Sequence, residues 1–95
     1  MGLELVSTFW EKDTNGWFLL PVDDAVAPGY SKIVSDPICY QDLRQRLRGG
    51  HYRSVAELAC DMLRVYSNAY LYNPRGSPVY TAAAEFEPLA IKSLA

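Results

Sequence analysis

The residue with the clearest chemical potential is Asn73, at the predicted end of a long amphipathic helix. Pro74 follows it, and a residue before proline is pushed out of the helical conformation, so the helix must end there. Asn73 lies four residues after the apolar Ala69, and its side chain therefore points towards the packed side. A carboxamide unpaired in a dry site costs about 1–3 kcal/mol. The carboxamide therefore needs a hydrogen-bond partner, and, considered alone, the asparagine is interpreted first as a plain helix stop.

Short sequences elsewhere in the chain resemble those of the bromodomain family in their order and spacing. They are Phe18-Leu19-Leu20-Pro21-Val22, Pro28-Gly29-Tyr30, Asp36-Pro37, Asn68-Ala69 and Tyr72-Asn73. The resemblance covers the chain from about Trp10 to Leu89. It implies an all-α fold, a left-handed four-helix bundle with a long loop between helices 1 and 2. It also implies that Asn73 donates a hydrogen bond to the acetyl carbonyl of an acetylated lysine.

The same resemblance implies a set of acetyl-lysine-binding residues around Asn73. Tyr30 would hold the acetyl oxygen through a water molecule. The walls would come from the long loop and from the neighbourhood of Asn73, namely Phe18, Val22 and Val26 on one side and Tyr72 and Val79 on the other. Trp17 is the remaining candidate, since many members carry Trp-Pro-Phe where this chain has Gly16-Trp17-Phe18. The hydrophobic shelf beside the pocket therefore departs from the family pattern.

Several of these residues have a purely structural alternative. Val22, Val26 and Val79 could be ordinary core residues, because valine is usually buried. Tyr30 could be a buried tyrosine that donates to a backbone carbonyl.

Three further residues are given structural roles. Asn68 is expected to tie the backbone of the long loop to the helix, and Asp61 is interpreted as a solvated or loop-pairing carboxylate. Cys39 stands where the family often has a capping aspartate. That change is expected to weaken the helix cap by about 1 kcal/mol and to leave the pocket untouched.

Apolar periodicity predicts four helices in a single domain of residues 1–95. The predicted helices 1 to 4 cover about 3–14, 40–48, 55–72 and 78–93. The segment 16–38 holds three prolines and two glycines and is predicted to be a loop, yet it is rich in apolar side chains. An apolar loop of this length must pack on the bundle and can form one wall of a pocket.

Local signals refine two of these helices. Ser54 and Glu57 have the spacing of a capping box, which predicts where the third helix begins. In the last helix, Pro88 is expected to introduce a kink or to shorten the helix. Its predicted inner stripe consists of Val79, Ala82, Ala83, Phe86 and Leu89.

Composition and charge argue against several classes of function. The chain has 95 residues, 49% of them hydrophobic, and a net charge of -2, which predicts no strong nucleic-acid binding. The basic residues between Arg44 and Arg53 are interpreted as a solvated face. No membrane contact and no signal peptide are predicted. Cys39 and Cys60 have no metal-ligand spacing, so neither a metal nor a cofactor is expected.

The sequence therefore predicts a reader of acetylated histone tails, a nuclear monomer in chromatin and transcription regulation that also accepts small acetyl-lysine mimics. An enzyme is one alternative. The chain lacks a nucleophile elbow, a phosphate-binding glycine loop and a metal motif, although Cys39 or Cys60 with His51 could in principle form a dyad. The other alternative is a helical bundle for protein–protein contact with a degenerate pocket.

Overall fold

The computed structural model describes residues 2–94, and its regular secondary structure is entirely helical. The helices are α1 (Leu3–Lys12), α2 (Tyr30–Ile33), α3 (Tyr40–Arg48), α4 (Val55–Tyr72) and α5 (Pro78–Leu94). The predicted helices 1 to 4 correspond to α1, α3, α4 and α5, and α2 is a single turn within the long loop. α4 packs along α5, and α3 contacts both α1 and α4. The predicted all-α bundle with a long loop between its first two helices is confirmed.

The core follows the apolar stripe of α4. Leu58, Met62 and Tyr66 lie four residues apart on this helix and are fully buried. Side chains from α1 and α3 pack against them, namely Val6, Phe9, Tyr40 and Leu43. Burying one such side chain is worth about 1.5–3 kcal/mol, so this seam supplies much of the favourable free energy of folding.

The start of α4 differs in one detail from the predicted capping box. The Ser54 hydroxyl accepts a hydrogen bond from the Glu57 N–H at 3.3 Å, as expected. The Glu57 carboxylate, however, accepts from the backbone N–H of Arg53, one residue before the cap. Glu57 therefore binds the residue before the cap in place of the Ser54 N–H that a capping box would use.

Two predicted helix ends are wrong by one or two residues. α1 ends at Lys12 rather than at 14, because the backbone N–H of Asp13 closes the last turn on the Phe9 carbonyl at 3.2 Å while its side chain bonds elsewhere. α5 continues to Leu94 through Pro88, so the helix is not shortened there. Pro88 is exposed, and the hydrogen bond that proline cannot make therefore faces solvent.

The inner stripe of α5 also differs from its prediction. Leu89 is 44% exposed, whereas Ala83 and Ala90 are fully buried. Ala90 lies seven residues after Ala83, which brings it back to the same side of the helix after two turns. At residues 2–94, no helix is long and apolar enough to cross a membrane.

Of the two interpretations of Asp61, the solvated carboxylate is wrong, whereas pairing with a loop is confirmed through Tyr52, which lies between α3 and α4. Its side chain is 12% exposed and accepts hydrogen bonds of 2.6 Å from Arg46, Arg64 and the Tyr52 hydroxyl. Burial by itself raises the pKa of Asp61, but the hydrogen bonds from Tyr52 and Arg46 outweigh it and hold the pKa below the usual value. Arg46 is therefore part of a polar link between α3 and α4 and not simply a solvated cation.

Replacing Asp61 with asparagine should lower the free energy of unfolding by about 1–3 kcal/mol at neutral pH, because two guanidinium groups lose their carboxylate. Urea unfolding measures this value. Since the folded-state pKa of Asp61 is depressed, its stabilisation is present above the unfolded value and is lost as the pH falls through the folded value. The difference between wild type and variant should therefore shrink below about pH 4.

Glu11→Gln is the matched control, because Glu11 is an exposed carboxylate on α1. Its effect should stay within about 0.5 kcal/mol. An equal loss in both variants would show that only net charge matters and that the Asp61 contacts contribute nothing.

Candidate functional site

The first turn of the long loop is held by a buried carboxylate. Asp13 is 4% exposed and accepts hydrogen bonds from the backbone N–H groups of Trp17 at 3.1 Å and Phe18 at 2.6 Å. Gly16 makes the turn with φ +72°, a conformation that glycine adopts without strain. These contacts fix the direction in which the Trp17 and Phe18 side chains leave the backbone.

The same segment is also bound to the start of α3. The backbone N–H of Tyr40 donates to the Phe18 carbonyl at 2.8 Å, and that of Gln41 donates to the Leu19 carbonyl at 3.0 Å. The first N–H groups of a helix have no partner within the helix, so the loop supplies acceptors for two of them. Loop and helix therefore satisfy each other.

The second half of the loop is bound to α4. The Asn68 side chain donates to the Asp36 carbonyl at 2.9 Å, which confirms its predicted role. The Tyr72 hydroxyl donates to the Pro28 carbonyl at 3.0 Å. The loop is thus hydrogen-bonded to the bundle at both ends and in its middle.

Phe18 is the point where the loop enters the core. It is 4% exposed, and its ring contacts those of Tyr40, Tyr66 and Phe86 at centroid separations of 5.8–5.9 Å. Tilted and edge-on aromatic pairs of this kind are favourable beyond their buried area. Phe18 therefore provides a rigid inner wall for the space that the loop encloses.

That space is a cavity of about 390 Å³ between the loop, the end of α4 and the start of α5. All the residues predicted to bind acetyl-lysine line it: Trp17, Phe18, Val22, Val26, Tyr30, Tyr72, Asn73 and Val79. Val22 and Val26 are 38% and 82% exposed, so they lie at the mouth. The alternative that these two valines are core residues is wrong, because the loop carries them past the bundle and not into it.

Asn73 stands at the C-terminus of α4, half-buried, with an extended backbone as Pro74 demands. Its backbone N–H and its side-chain Nδ2 both donate to the Ala69 carbonyl at 3.0 Å. The carboxamide is therefore held in one orientation. One hydrogen of Nδ2 is used by Ala69, and within residues 2–94 the second has no acceptor, so it can donate to a ligand in the cavity that Asn73 lines.

Tyr30 faces Asn73's helix from the loop. It is 8% exposed, and its ring lies 5.1 Å from that of Tyr72. Burial, and to a lesser extent the nearby Cys39, raises the pKa of the Tyr30 hydroxyl. No protein group within residues 2–94 hydrogen-bonds that hydroxyl, so the alternative of a bond to a backbone carbonyl finds no support here.

Several lining residues were not predicted, among them Ile38, Cys39, Val65 and Ala69. The spacing of four residues between Val65, Ala69 and Asn73 puts all three on one side of α4, and this signal was available in the sequence. For Ile38 and Cys39 there was no such signal, because only the folded loop brings them to the cavity.

The expectation that Cys39 leaves the pocket untouched is wrong. Cys39 is 3% exposed and lines the cavity, and both its N–H and its thiol donate to the Asp42 carboxylate at 3.1 and 3.2 Å. Burial raises the pKa of the thiol to about 11, so it is protonated at neutral pH. His51 packs against Tyr52 and does not line the cavity.

Apart from Asp23, which is exposed and accepts a hydrogen bond from the backbone N–H of Val26, the polar side chains that line the cavity are neutral and stand in an apolar wall. A carboxamide and a phenol can hold an uncharged polar ligand, and the walls disfavour a charged one. At residues 2–94, no three His, Cys, Asp or Glu side chains are grouped so that they could hold a metal ion.

Comparison with known proteins agrees with this geometry. The sequence model of the bromodomain family matches residues 3–85. Zebrafish bromodomain-containing protein 9 is 36% identical over 74 residues, and human bromodomain-containing protein 7 is 30% identical over 91 residues. These matches cover 78% and 96% of this chain, but only 12% and 14% of the two relatives. The chain therefore corresponds to a small part of the length of these relatives.

A solved bromodomain from Trypanosoma brucei, in complex with bromosporine, has the same fold. It superposes with a TM-score of 0.89 at 28% identity and covers 94% of this chain and 77% of its own. The chain belongs to the bromodomain family. Bromodomains are non-enzymatic reader modules of chromatin that bind acetyl-lysine.

Removing the carboxylate that holds the loop should destabilise the domain and loosen the cavity wall. Asp13→Ala leaves two backbone N–H groups without a partner in a buried place, and we expect a loss of about 2–4 kcal/mol in the free energy of unfolding. Hydrogen exchange should accelerate at the amides of Trp17 and Phe18 beyond the global effect. Chemical denaturation measures the free energy of unfolding, and NMR measures the exchange rates of the two amides.

Asp24→Ala is the matched control. Asp24 accepts two hydrogen bonds from Ser31 in the same loop, but it is exposed, so water can replace it. Its loss should stay below about 1 kcal/mol. If the two variants lose the same free energy of unfolding, the buried contacts of Asp13 stabilise the domain no more than the exposed contacts of Asp24.

Proposed function

We propose that this domain binds acetylated lysine in histone tails and so serves chromatin and transcription regulation in the nucleus. The observation that carries the proposal is the carboxamide of Asn73, held by Ala69 at the wall of a mostly apolar cavity with one N–H free. The acetyl carbonyl of the ligand would accept a hydrogen bond from that N–H. Membership of the bromodomain family supports the same role.

Tyr30 is proposed to hold the acetyl oxygen through a bridging water. Tyr30 lines the cavity, and its hydroxyl has no hydrogen-bond partner within residues 2–94. Because burial raises its pKa, the hydroxyl stays protonated and can donate at neutral pH. A water that bridges two polar groups is nearly as favourable as a direct hydrogen bond.

The walls would discriminate between acetylated and free lysine. Acetylation removes the charge of the side chain and leaves a small amide on an apolar stem. The proposed contacts to that stem come from Phe18, Val22, Val26, Tyr72 and Val79, with Trp17 at the entrance. A free ammonium group would lose its hydration at the inner, apolar part of the cavity, because the one carboxylate of the lining, Asp23, is exposed to solvent, and that loss is costly.

Affinity for a single acetyl-lysine should be weak, since one side chain covers little area. Tighter recruitment would need a second module or a multiply acetylated tail. Small acetyl-lysine mimics should enter the same cavity, as the T. brucei bromodomain solved with bromosporine suggests by analogy. We further propose a monomer without catalytic activity, membrane contact or strong nucleic-acid binding.

The second candidate is a protein-interaction bundle with a degenerate pocket. It would retain the fold, and no acetylated peptide would bind. Among residues 2–94, one N–H of the Asn73 carboxamide and the Tyr30 hydroxyl have no partner, and this favours the reader, because a pocket without a ligand has no need of either.

Replacing Asn73 with alanine should weaken binding of acetylated histone peptides at least tenfold, because the one direct hydrogen bond to the acetyl group is lost. Isothermal titration of a peptide with and without acetylation measures the effect. Gln45→Ala is the matched control. It removes an exposed carboxamide on α3 that does not line the cavity, so the affinity should remain unchanged.

Circular dichroism must show that both variants fold. Binding that survives Asn73→Ala unchanged would exclude the proposed contact. Absence of any binding by the wild-type domain would favour the degenerate bundle.

The affinity should also be almost constant between about pH 6 and pH 9. The ligand is uncharged, and the pKa values of Tyr30 and of the Cys39 thiol are both raised, the latter to about 11. Titration of the same peptide across this range is the measurement. A marked loss of affinity at the alkaline end would mean that one of these groups ionises in the free domain.

A further inference from the structure

The connection between α4 and α5 contains the one serine or threonine of this chain that is followed by proline. The six prolines of the sequence come after Leu20, Ala27, Asp36, Asn73, Ser77 and Glu87. Proline-directed protein kinases act on a serine or threonine in this position, because proline fixes the next backbone torsion and brings no N–H that needs an acceptor. Ser77 is therefore the single candidate of this kind in the chain.

Ser77 lies in an accessible part of the chain. Its neighbours Pro74, Arg75, Gly76 and Pro78 are exposed, and Ser77 itself is half-buried. Its backbone N–H donates to the Pro74 carbonyl at 3.0 Å, which closes a short turn. A residue before proline is biased towards an extended backbone, so the turn ends with the serine on an extended step.

The Ser77 hydroxyl caps the start of α5. It accepts a hydrogen bond from the Tyr80 N–H at 3.4 Å, which is long for such a bond. Within residues 2–94, the Val79 N–H has no acceptor. A phosphate on Ser77 would bring three acceptor oxygens and negative charge to a helix start where donors are incompletely used.

Two cations stand near Ser77. Arg75 is exposed, and no ion pair to its guanidinium exists within residues 2–94. Lys12 lines a second cavity, of about 400 Å³, together with Gly76 and Pro78, the two neighbours of Ser77. A guanidinium and an ammonium are therefore in place to pair with an anion here.

The second cavity also has one carboxylate that would oppose a phosphate. Glu85 lines it, and Trp17 lines both this cavity and the first. Glu85 stands eight residues after Ser77, which is about 12 Å along the axis of α5. Exposed charges at that separation are largely screened at physiological salt, where the Debye length is about 8 Å. Arg75, only two residues from Ser77, therefore outweighs Glu85.

We infer that Ser77 is a phosphorylation site for a proline-directed protein kinase, and that the start of α5 and the Arg75 guanidinium hold the phosphate. In the reaction, the Ser77 Oγ forms a bond to the γ-phosphorus of ATP, and the bond from that phosphorus to the β-phosphate oxygen breaks. ADP leaves, and the hydroxyl proton passes to the base of the kinase. The phosphate changes the net charge of the chain from -2 to about -4.

The modification would act at the edge of the first cavity. Asn73 and Val79, on either side of the connection, both line that cavity. A phosphate bound to the start of α5 would hold the connection between them more firmly. The added negative potential would also speed the association of basic histone tails, and this consequence alone rests on the proposed function.

The first test is incorporation of phosphate into the folded domain. Wild type is incubated with ATP and either a mitogen-activated or a cyclin-dependent protein kinase, and mass spectrometry locates the product. We expect one phosphate, at Ser77, and none in Ser77→Ala. Ser35→Ala is the matched control, since Ser35 is exposed and is followed by Asp36, and it should be modified like wild type. No incorporation with either kinase, or incorporation that persists in Ser77→Ala, would overturn the inference.

The second test is the thermal stability of the phosphorylated domain. Its midpoint of unfolding should rise by about 4–8 °C, the shift expected for an anion at a helix start. The rise should be roughly halved in phosphorylated Arg75→Ala, which lacks a charge-assisted contact. Arg53→Ala is the matched control, because Arg53 is exposed at the other end of α4, about 27 Å away. A lowered midpoint, or an equal rise in all three proteins, would show that Arg75 and the start of α5 do not hold the phosphate.

Binding measurements separate this inference from the proposed function. Phosphorylation should raise the association rate of basic acetylated peptides a few-fold at low salt, and the effect should disappear at high salt. Bromosporine should bind both forms equally, because Ser77 does not line the first cavity. An unchanged association rate would overturn the effect on recruitment. If neither acetylated peptides nor bromosporine bind either form, the proposed function fails, while the phosphate at Ser77 and the thermal shift stand.

Discussion

The whole arrangement depends on hydrogen bonding the backbone of an apolar loop that lies against a helical bundle. Loops usually run over the surface, because a buried backbone N–H or carbonyl needs a partner. Here the partners come from the bundle and its ends: Asp13 before the loop, the first N–H groups of α3 after it, and Asn68 and Tyr72 from α4. With these bonds made, the loop can carry aromatic and aliphatic side chains and still keep its shape.

The cavity beneath the loop exists because the loop keeps this shape. Phe18 fills the inner end against three aromatic rings, whereas Val22 and Val26 remain at the mouth. Asn73 lines the same cavity, and its carboxamide is held by the Ala69 carbonyl. A pre-oriented donor in a mostly apolar wall recognises an uncharged carbonyl better than a mobile one would, because little ordering is needed on binding. The same bonds that stabilise the fold therefore prepare the site.

The order of the helices and most of the candidate site could be predicted from local signals in the sequence. The proline after Asn73, the Ser54 cap and the apolar stripe of α4 each act over a few residues, and such signals survive without knowledge of the neighbours. The errors at Asp61 and Cys39 concern contacts across the chain. Asp61 binds Arg46, Tyr52 and Arg64, and Cys39 was expected away from the pocket that it lines. The Arg64 pair lies at a spacing of three residues on α4 and could be predicted from the sequence, but the contacts from Arg46 and Tyr52, which lie outside α4, could not.

The sequence by itself determined the helices, the loop and the end of α4 at Asn73, because backbone preferences and apolar periodicity are local properties. Only the tertiary structure decided that the loop turns back on α3 through Phe18, that α5 continues past Pro88 with Ala90 inside, and that Trp17 stands between two cavities. These features depend on which surfaces meet and on where unpaired backbone groups find partners. Both are settled by packing among residues that are distant in the chain.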